Sequence, residues 1–361
     1  MVPPGLTGDQ TPGVASASDD WVLHVDLDQF LAAVEVLRHP ELAGRPVVVG
    51  GDGDPTRPRQ VVATASYEAR AFGVRSGMPL RTAARRCPEA VFLPSDRAAY
   101  DEASARVMAT LRSMPVVVEE IGWDEAFLGA RTHQPADLAQ AVRERVLAET
   151  GLSCAVGIGR TRLQAKTATG FAKPGGIALL TRDSWMTTMG DRPVTDLWGI
   201  GDRTARRLTD AGITTVAELA RADHQDLAAR FGPTIGPNLK LMGMGGHDAP
   251  IVDEPHVARS RSKEETFTRD ITDTREMAEQ VVRLATEVTA SVTAEGRRVT
   301  HVAVKVRTRS FLTRNKIRKL PEPTTDPAVV ARTATTVFGL LEVDRPVRLL
   351  GVRVVLEMPP P

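Results

Sequence analysis

Two aspartates stand two positions apart near the start of the chain, within VLHVDLDQFLAAVE at residues 22–35. The residues up to Leu27 alternate as in a β-strand, and the pattern becomes helical after Phe30. Because successive side chains of a strand point to opposite faces, Asp26 and Asp28 are expected on one face at the strand end. Two carboxylates in that position are unfavourable unless a cation or solvent compensates them. The pair therefore indicates either a cation site or an acidic turn in which Asp28 caps the following helix.

A second acidic pair, Asp124 and Glu125, lies within VVVEEIGWDEAFLGA at residues 116–130. The β-rich runs on both sides of this pair predict a hairpin with the two acids close to its turn. Across residues 20–180 the predicted order is strand, helix, hairpin, helix, strand, which is the order of a split βαβ sheet with helices on one face. Such a sheet would place the strand of Asp26 beside the hairpin. The sequence therefore predicts that three carboxylates converge.

Three converging carboxylates have a well-defined chemical use. Mg²⁺ binds oxygen ligands such as carboxylates, and Mn²⁺ accepts the same ligands. Two such ions about 3.5–4 Å apart stabilise both the attacking and the leaving oxygen of an in-line phosphoryl displacement. Asp26, Asp124 and Glu125 therefore predict a phosphoryl-transfer site for two Mg²⁺ ions, with Mn²⁺ as a substitute.

Side chains suited to binding phosphates occur at the ends of two predicted helices. Thr64, Tyr67 and Arg70 lie at the start of one helix, where donors and the helix dipole favour anions. The three-residue spacing places the Tyr67 hydroxyl and the Arg70 guanidinium on one helical face. Lys173 is expected in the last turn of a helix over residues 161–174, which a proline ends. Together these residues would neutralise a nucleoside triphosphate; the alternative is a surface helix with a packed tyrosine and a solvated arginine.

The bulk properties are those of a soluble globular protein. A length of 361 residues suggests roughly two to three domains, and a net charge of +1 identifies no partner without regional counts. Cys87 and Cys154 lack CxxC spacing, which favours a reducing, cytoplasmic compartment. No apolar run of about 18 residues occurs, so no membrane span is expected. Residues 1–19 lack an apolar core and are expected to be a flexible leader, not a signal peptide.

The second half of the chain carries features that favour nucleic-acid binding. Gly199 and Gly201 form a GIG turn between predicted helices, and the backbone N–H groups of such a turn can bind a phosphate. The proline-marked segment 251–267 is expected to be an interdomain tether. Residues 297–319 contain nine Lys or Arg and no Asp or Glu in a strand-like pattern, as expected for a DNA-binding sheet surface. The cations expected to contact DNA are Arg297, Arg298, Lys305, Arg307, Arg309, Arg314 and Lys316.

These stretches together resemble the Y-family, or translesion, DNA polymerases, in particular the DinB or polymerase IV branch. HVDLDQFLAAVE, ATASYEARAFGVRSGMP, WDEAFLG and AKTATGFAKPGG carry the resemblance, which covers roughly residues 20–358. It implies an α+β multidomain fold shaped as a right hand, with a ferredoxin-like palm, small fingers, a helical thumb containing a helix–hairpin–helix, and an α/β little-finger domain. The implied limits are 20–38 and 97–180 for the palm, 39–96 for the fingers, 181–250 for the thumb, 251–257 for a linker, and 258–358 for the little finger.

The resemblance also implies a role for each matching position. Asp26, Asp124 and Glu125 match the metal-binding carboxylates, with the Leu27 carbonyl as a further ligand. The positions that bind the incoming triphosphate in the family correspond to Thr64, Tyr67, Arg70 and Lys173. The small residues over the nascent base pair correspond to Val61 and Ala63. The implied reaction is attack of a primer 3′-hydroxyl on the α-phosphorus of a nucleotide, with pyrophosphate leaving. The partners would be primer–template DNA and deoxynucleotides, and the protein would act as a monomer at the nucleoid.

Three departures from the family pattern affect these expectations. The position after Phe30, where the family has an aromatic ring against the sugar 2′ position, is Leu31, so we expect ribonucleotides to be accepted as well. Phe30 is the alternative candidate for supplying the ring at the nucleotide sugar, but it is expected to pack into the palm core, because consecutive helical side chains point about 100° apart. The chain ends in EMPPP, so the clamp-docking peptide of many relatives is not carried over. WDEAFLG replaces the usual serine-leucine before the acidic pair, a change beside the site.

Two rival functions belong to other classes. A haloacid-dehalogenase-like phosphatase also begins with a DxD motif at a strand end, but it needs Thr or Val where this chain has Phe30. It would also leave the basic C-terminal region without a use. The other rival is a DNA-binding homologue whose catalytic centre has decayed, which the complete set of carboxylates and phosphate-binding cations argues against. Primer extension with Mg²⁺ or Mn²⁺ separates all three functions.

Overall fold

The computed structural model describes residues 20–246, 249–254 and 257–359, so the predicted leader, 1–19, lies outside the described residues. The strands, numbered in chain order, are Asp20–Leu27 (β1), Val47–Val49 (β2), Thr64–Ala65 (β3), Val91–Leu93 (β4), Val117–Glu120 (β5), Glu125–Arg131 (β6), Cys154–Gly159 (β7), Ile177–Leu179 (β8), Ser260–Ile271 (β9), Val299–Thr308 (β10), Thr313–Thr324 (β11) and Val347–Leu356 (β12). The α-helices are Phe30–Arg38 (α1), Tyr67–Ala71 (α2), Leu80–Arg86 (α3), Arg97–Arg112 (α4), Pro135–Thr150 (α5), Arg162–Ala172 (α6), Arg182–Met189 (α7), Asp202–Thr209 (α8), Val216–Arg221 (α9), His224–Phe231 (α10), Ile235–Gly243 (α11), Thr274–Ala294 (α12) and Pro327–Gly339 (α13). None of these described helices is long and apolar enough to span a bilayer.

The chain forms two compact units. The first comprises Met1–Val49, Thr64–Ala71 and Ser95–Glu254, and the second comprises Gly50–Ala63, Phe72–Pro94 and Pro255–Pro361. The domain limits expected from the resemblance stay predictions.

A mixed five-stranded sheet is the centre of the first unit. Its order is β5-β6-β1-β7-β8, with β1 antiparallel to both neighbours and β8 parallel to β7. The middle strand lies beside the β5–β6 hairpin, as the sequence predicted. The core-facing residues of β1, such as Leu23 and Val25, are almost fully buried.

Helix α6 lies directly against β7 because glycines on the strand leave room for it. A Cβ added at Gly157 would lie 2.0 Å from the carbonyl oxygen of Ala165, so only a residue without a side chain fits. The helix ends at Ala172, two residues before the end expected at residue 174. Lys173 has an extended backbone, with φ −71° and ψ 140°, because the following Pro174 disfavours the helical conformation. The expectation that Lys173 lies in the last helical turn was therefore wrong by one position.

Helices α7 to α11 of the first unit pack around an apolar core that includes Trp185, Leu208 and Leu239. Before the GIG turn, where the sequence predicts a helix, the structure has only a 3₁₀ turn, Val194–Asp196. Pro193 precedes it and Gly199 follows shortly after, so too few residues remain to nucleate a longer helix.

A four-stranded antiparallel sheet with the order β11-β10-β12-β9 forms the main part of the second unit. Val302, Val304 and Val306 of β10 are buried in one core with side chains of α12 and α13. The tether predicted over residues 251–267 was wrong for its second half, because β9 begins at Ser260. Most β9 side chains are exposed, so backbone pairing with β12 forms this edge strand without an apolar pattern in its sequence.

The β-branched residues at 61–64 favour a strand in the sequence, but most of this segment is a loop. The strand β3 covers only Thr64–Ala65, and Val61 makes an isolated antiparallel bridge to Pro79. The amide of Val62 donates to the carbonyl oxygen of Met78 at 2.8 Å. These contacts hold the loop on the second unit's own backbone.

Candidate active site

The three acids of interest occupy adjacent strands at one end of the first unit's sheet. In the β1–β6 register Asp26 lies opposite Glu125, and Asp124 immediately precedes β6. The amide of Leu27 donates to the carbonyl oxygen of Asp124 at 2.8 Å, which ties the loop before β6 to the end of β1. Burial and the nearby carboxylate of Asp26 raise the pKa of Asp124 above its usual range. The structure thus brings together the acids that the sequence singled out.

Two lysines of the α6 segment neutralise two of these acids. Lys173 Nζ lies 2.5 Å from Asp26 Oδ1, and Lys166 donates to Glu125 Oε2. A hydrogen bond from His24, together with Lys166, lowers the pKa of Glu125 to about 2. Lys166 was missed at the sequence level. Its signal is its position in α6, about two helical turns before the helix ends next to Lys173.

A buried histidine completes this arrangement. His24 is fully buried, and burial lowers its pKa, so the ring is neutral at pH 7. Its Nε2 lies 3.2 Å from Lys166 Nζ, and its Nδ1 lies 2.9 Å from Thr169 Oγ1. Nε2 also lies 3.4 Å from Glu125 Oε2, so the ring contacts both members of the Lys166–Glu125 ion pair. Alternation along β1 puts His24 on the side of Asp26, and this signal was available in the sequence.

The carboxylates do not close around a common point in the free chain. Within the described ranges, no group of three or more His, Cys, Asp and Glu side chains is arranged to hold a metal ion. The ion pairs explain this arrangement, because Asp26 is turned to Lys173 and Glu125 to Lys166. The available donors are carboxylate oxygens, which suit hard divalent cations. Metal binding would therefore require the two lysines to give up their carboxylates.

Asp28 has a different role from either one that the sequence suggested. It is 5% exposed and accepts hydrogen bonds from the Tyr67 hydroxyl at 2.7 Å and the Ser153 hydroxyl at 2.8 Å. It does not cap α1, whose N-cap is Gln29 with φ 45° and no side-chain cap bond. The helix-capping interpretation was therefore wrong, because two hydroxyl groups compete successfully for this carboxylate. Ser153 was missed, since nothing in its own segment indicated a partner.

Three of the residues expected to bind phosphates, Thr64, Tyr67 and Arg70, lie on or next to α2. The Arg70 guanidinium lies 5.1 Å from the ring centroid of Tyr67, which confirms that the two side chains share a helical face. Arg70 Nε donates to the carbonyl oxygen of Ala65 at 2.9 Å, and Thr64 pairs with Val49 in the short sheet. Burial and the bond to Asp28 raise the pKa of Tyr67, so this phenol stays protonated.

Phe30 and Leu31 differ in their surroundings, as expected for consecutive residues of a helix. Phe30 is 3% exposed and its ring centroid lies 6.4 Å from that of Tyr100, so it packs in the core. Leu31 is only partly buried. The core position predicted for Phe30 is confirmed. Val61 and Ala63 belong to the second unit, where both are exposed.

The two predicted DNA-binding regions have distinct structures. Gly199 has φ +99°, and Gly201 is the N-cap of α8, with open space where a Cβ would lie. In the second unit, Lys305 and Arg307 alternate with the buried valines of β10 and so lie on the sheet face away from α12 and α13. Arg353 of β12, opposite Ala303, shares that face and was missed. Its signal, an exposed arginine within an apolar strand, lies outside the basic run.

The basic run is free of acids only along the sequence. Glu264 of β9 approaches Lys305, with 2.7 Å between Oε1 and Nζ. Gly351 lies between them in the register, and a Cβ there would be 2.7 Å from Cγ of Glu264. Because Gly351 has no side chain, the side chain of Glu264 can extend over β12 to Lys305. The expected acid-free surface is thus corrected, because a neighbouring strand supplies a carboxylate.

Other cations of the run bind neighbouring groups as well. Arg297 donates to the carbonyl oxygen of Glu357 at 2.7 Å, and Arg298 Nη1 lies 3.7 Å from its carboxylate. Arg307 donates to Thr313, Arg309 lies 3.7 Å from Asp270, and Arg314 donates to the carbonyl oxygen of Glu342. These cations are oriented by the domain itself.

Protein-family models match most of the chain. A family model described as the impB/mucB/samB family matches residues 25–170, and the model of the C-terminal domain of that family matches residues 258–355. A model of a SAM-like helix-hairpin-helix tandem matches residues 191–237, which confirms the module predicted around the GIG turn.

Individual relatives agree with this match. "DNA polymerase IV 2" of Mycobacterium tuberculosis is 55% identical over 344 residues, which cover 94% of this chain and 99% of the relative. "DNA polymerase IV" of Methanoculleus marisnigri is 40% identical, covering 92% of this chain and 93% of the relative. A solved Y-family DNA polymerase chimera has a TM-score of 0.82 at 23% identity, covering 93% of this chain and 98% of the chimera, and shows the same fold. The predicted α+β right-hand fold is confirmed, and the chain belongs to the Y family of translesion DNA polymerases, in the impB/mucB/samB group.

Proposed function

We propose that this protein adds nucleotides to the 3′ end of a primer under template direction, by phosphoryl transfer at Asp26, Asp124 and Glu125. The observation that carries the proposal is the register of β1 and β6, which sets Asp26 opposite Glu125 and leaves Asp124 at the adjoining strand start. Relatives named DNA polymerase IV, similar over more than nine-tenths of the chain, support the same reaction.

Two Mg²⁺ ions, with Mn²⁺ as a substitute, would be held by the three carboxylates and by the carbonyl oxygen of Leu27. When bound, such ions activate the attacking oxygen and neutralise charge on the leaving one. In the free chain Lys166 and Lys173 neutralise part of the acidic charge. Mutual repulsion would otherwise act against three carboxylates on adjoining strands. The lysines thus keep the site folded until its cations arrive.

The triphosphate would be bound by Thr64, Tyr67, Arg70 and Lys173. Lys173 has an exposed fraction of 30% at its side chain and is held by one contact to Asp26, so it can turn to a phosphate once Asp26 has another cation. Arg70 is oriented by Ala65 and by the ring of Tyr67. A guanidinium fixed before the substrate arrives loses little conformational entropy on binding.

Primer–template DNA would contact the helix–hairpin–helix and the open face of the second unit's sheet. The N–H groups of Gly199 and Gly201 would suit a backbone phosphate, because neither glycine has a side chain of its own to cover the turn. The cations proposed for the sheet face and its edges are Arg297, Arg298, Lys305, Arg307, Arg309, Arg314, Lys316 and Arg353. We further propose that the protein works as a monomer in the cytoplasm, at the nucleoid.

Leu31 would make the sugar site permissive for ribonucleotides. It follows the core residue Phe30 on α1 and is partly exposed, so it is the one of the pair available to a ligand. A leucine is shorter than an aromatic ring and changes rotamer more easily, so it excludes a 2′-hydroxyl less strictly. Val61 and Ala63, both exposed, would lie over the nascent base pair.

Neither rival function gains support from these observations. The phosphatase alternative conflicts with the family match, and the acids and lysines that a decayed site would have lost are present and paired.

Primer extension on a short template of defined sequence tests the proposal. We expect Mg²⁺-dependent addition of the complementary deoxynucleotide, continued across an abasic position that stops a replicative polymerase. A chelator should abolish it. Absence of any extension with Mg²⁺ and with Mn²⁺, from protein that still binds the duplex, would favour the decayed homologue.

A further inference from the structure

One arginine fastens the loop before Val61 to the C-terminal part of its own compact unit. Arg59 Nη1 donates to the carbonyl oxygen of Phe267 at 2.7 Å, and Nη2 lies 2.5 Å from Oδ1 of Asp270. The two charged side chains are only 17% and 16% exposed. Phe267 and Asp270 belong to β9, more than 200 residues further along the chain. A single guanidinium therefore joins two segments that are remote in sequence.

Arg59 has an unfavourable backbone conformation, which its side-chain contacts explain. Its φ is +65°, in the left-handed region that non-glycine residues adopt at a cost. Glycine would relieve that cost but would provide no guanidinium. A forked donor that contacts both a carbonyl and a carboxylate explains why an arginine occupies the position.

Several arginines surround Asp270, but only the contact with Arg59 is buried among those described below. Arg309 also approaches Asp270, with 3.7 Å between Nε and Oδ2, but its side chain is 80% exposed. Arg348 lies close enough for burial and the charge of Arg59 to lower its pKa. Asp270 therefore offsets several arginines, and the buried contact is the one to Arg59. Without Asp270 the loop would face unbalanced positive charge.

The attachment continues directly to Val61. The carbonyl oxygen of Gln60 accepts from the amide of Leu80 at 2.9 Å, and Val61 itself is bridged to Pro79. The chain from Arg59 to Val62 is thus held at one end by β9 and along its length by residues 78–80. A shift of Arg59 would move Val61, whose side chain is 46% exposed.

We propose that Arg59 is a positioning residue that fixes the Val61 loop to the C-terminal domain and thereby sets how strictly the polymerase selects the templated base pair. This inference rests on the proposed function, which assigns Val61 and Ala63 to the nascent base pair. A released loop would leave more room over that pair. Mismatched nucleotides, which need that room, would gain more than matched ones.

The first test measures attachment and does not require catalysis. Hydrogen exchange of full-length protein should be followed in peptides covering residues 56–63, which include the bonded amide of Val62. Arg59→Gln should speed exchange there by about fivefold or more, since the loop opens more often without the ion pair. Arg269→Gln is the matched control, because Arg269 is next to Asp270 on β9 but pairs with Glu276 on α12 and not with the loop. Equal exchange in wild type and Arg59→Gln, or equal acceleration by both variants, overturns the attachment.

The second test measures selectivity. The ratio of kcat/KM for the matched nucleotide to that for a mismatch should fall about 3- to 10-fold in Arg59→Gln and stay unchanged in Arg269→Gln. Arg59→Lys keeps the positive charge but not the forked donor, so its selectivity ratio should lie between those of wild type and Arg59→Gln. Faster exchange with unchanged selectivity overturns the positioning role. Failure of the wild-type protein to extend any primer would refute the proposed function instead, and the exchange result would still decide whether Arg59 fastens the loop.

Discussion

Lys173 and Asp26 form an ion pair in the acidic site, with 2.5 Å between Nζ and Oδ1. The proposed reaction gives these two groups different ligands, since Lys173 would bind phosphate and Asp26 a metal ion. Each ligand must then break the same contact. Nucleotide and metal binding are therefore expected to favour one another, because the first ligand to bind frees the group needed by the second.

The two cations of the triphosphate site should matter to nucleotide use and not to DNA binding. Lys173→Ala and Arg70→Ala are each expected to lower kcat/KM for deoxynucleotides. The loss of transition-state stabilisation should be about 2–4 kcal/mol, the scale for losing a charge-assisted donor at a phosphoryl site. Single-nucleotide insertion measures this effect, and fluorescence anisotropy measures affinity for the duplex. A loss of duplex affinity would show that these cations contact DNA instead.

Two neighbouring acids should have opposite effects on stability in metal-free protein. Asp124→Asn is expected to raise Tm at pH 7, because burial and Asp26 raise the pKa of this carboxyl and make its charged form unfavourable in the fold. Glu125→Gln should lower Tm, because His24 and Lys166 stabilise the carboxylate. Thermal unfolding with a chelator present compares the two. Both variants should lose primer extension, and the same direction of change in Tm would contradict the assigned electrostatics.

The Glu125 interaction also predicts a pH dependence. The pKa of this group is lowered on folding, from 4.5 to about 2, so its contribution is complete above the unfolded value and is lost as pH falls between the two. After allowance for solvent screening the contribution is about 2 kcal/mol. Wild-type protein should lose more stability than Glu125→Gln between pH 5 and about pH 2. Parallel stability curves in that range would argue against the ion pair.

Glu264 should weaken DNA binding by occupying Lys305. Glu264→Gln is expected to raise duplex affinity and steepen its salt dependence by about one counterion, because it frees one cation for a phosphate. Glu279→Gln on α12, an exposed acid paired with Arg275 on the helix side, is the control and should change neither quantity. If both variants raise affinity equally, net charge alone is responsible.

Leu31 should determine the choice of sugar. Leu31→Phe and Leu31→Tyr are expected to restore rejection of ribonucleotides by about 1–3 kcal/mol, or about 5- to 150-fold, the cost of forcing a group against a closed wall. Incorporation of deoxynucleotides should be largely unaffected. Parallel extension with ATP and dATP opposite a template thymine measures the ratio. Strong rejection of ATP by the wild-type protein would contradict this prediction.

The acidic centre was predictable because its signals are local. Alternation along β1 and the hairpin pattern around Asp124 each depend on a few consecutive residues, and a split βαβ order brings them together. Phe30 was placed correctly for a similar reason, since helical geometry separates it from Leu31.

The errors came from partners that lie far away in the sequence. Asp28 is satisfied by Tyr67 and Ser153, and neither partner is visible from the turn that contains Asp28. Strand β9 forms by backbone pairing with β12, which leaves no apolar pattern to detect. Glu264 reaches Lys305 only because Gly351 lies between them. Such contacts depend on strand order and register, which a single sequence specifies weakly.

The central claim is that Asp26 belongs to the reaction centre of a template-directed polymerase. The most direct measurement is primer extension by wild type, Asp26→Asn and Glu120→Gln, with one template base varied in turn. Glu120 is an exposed acid on β5, paired with Arg112, and serves as the matched control. We predict that wild type and Glu120→Gln add the nucleotide complementary to each template base, and that Asp26→Asn is slower by about 10³-fold or more. Near-normal extension by Asp26→Asn, or addition that ignores the template base, would contradict the account.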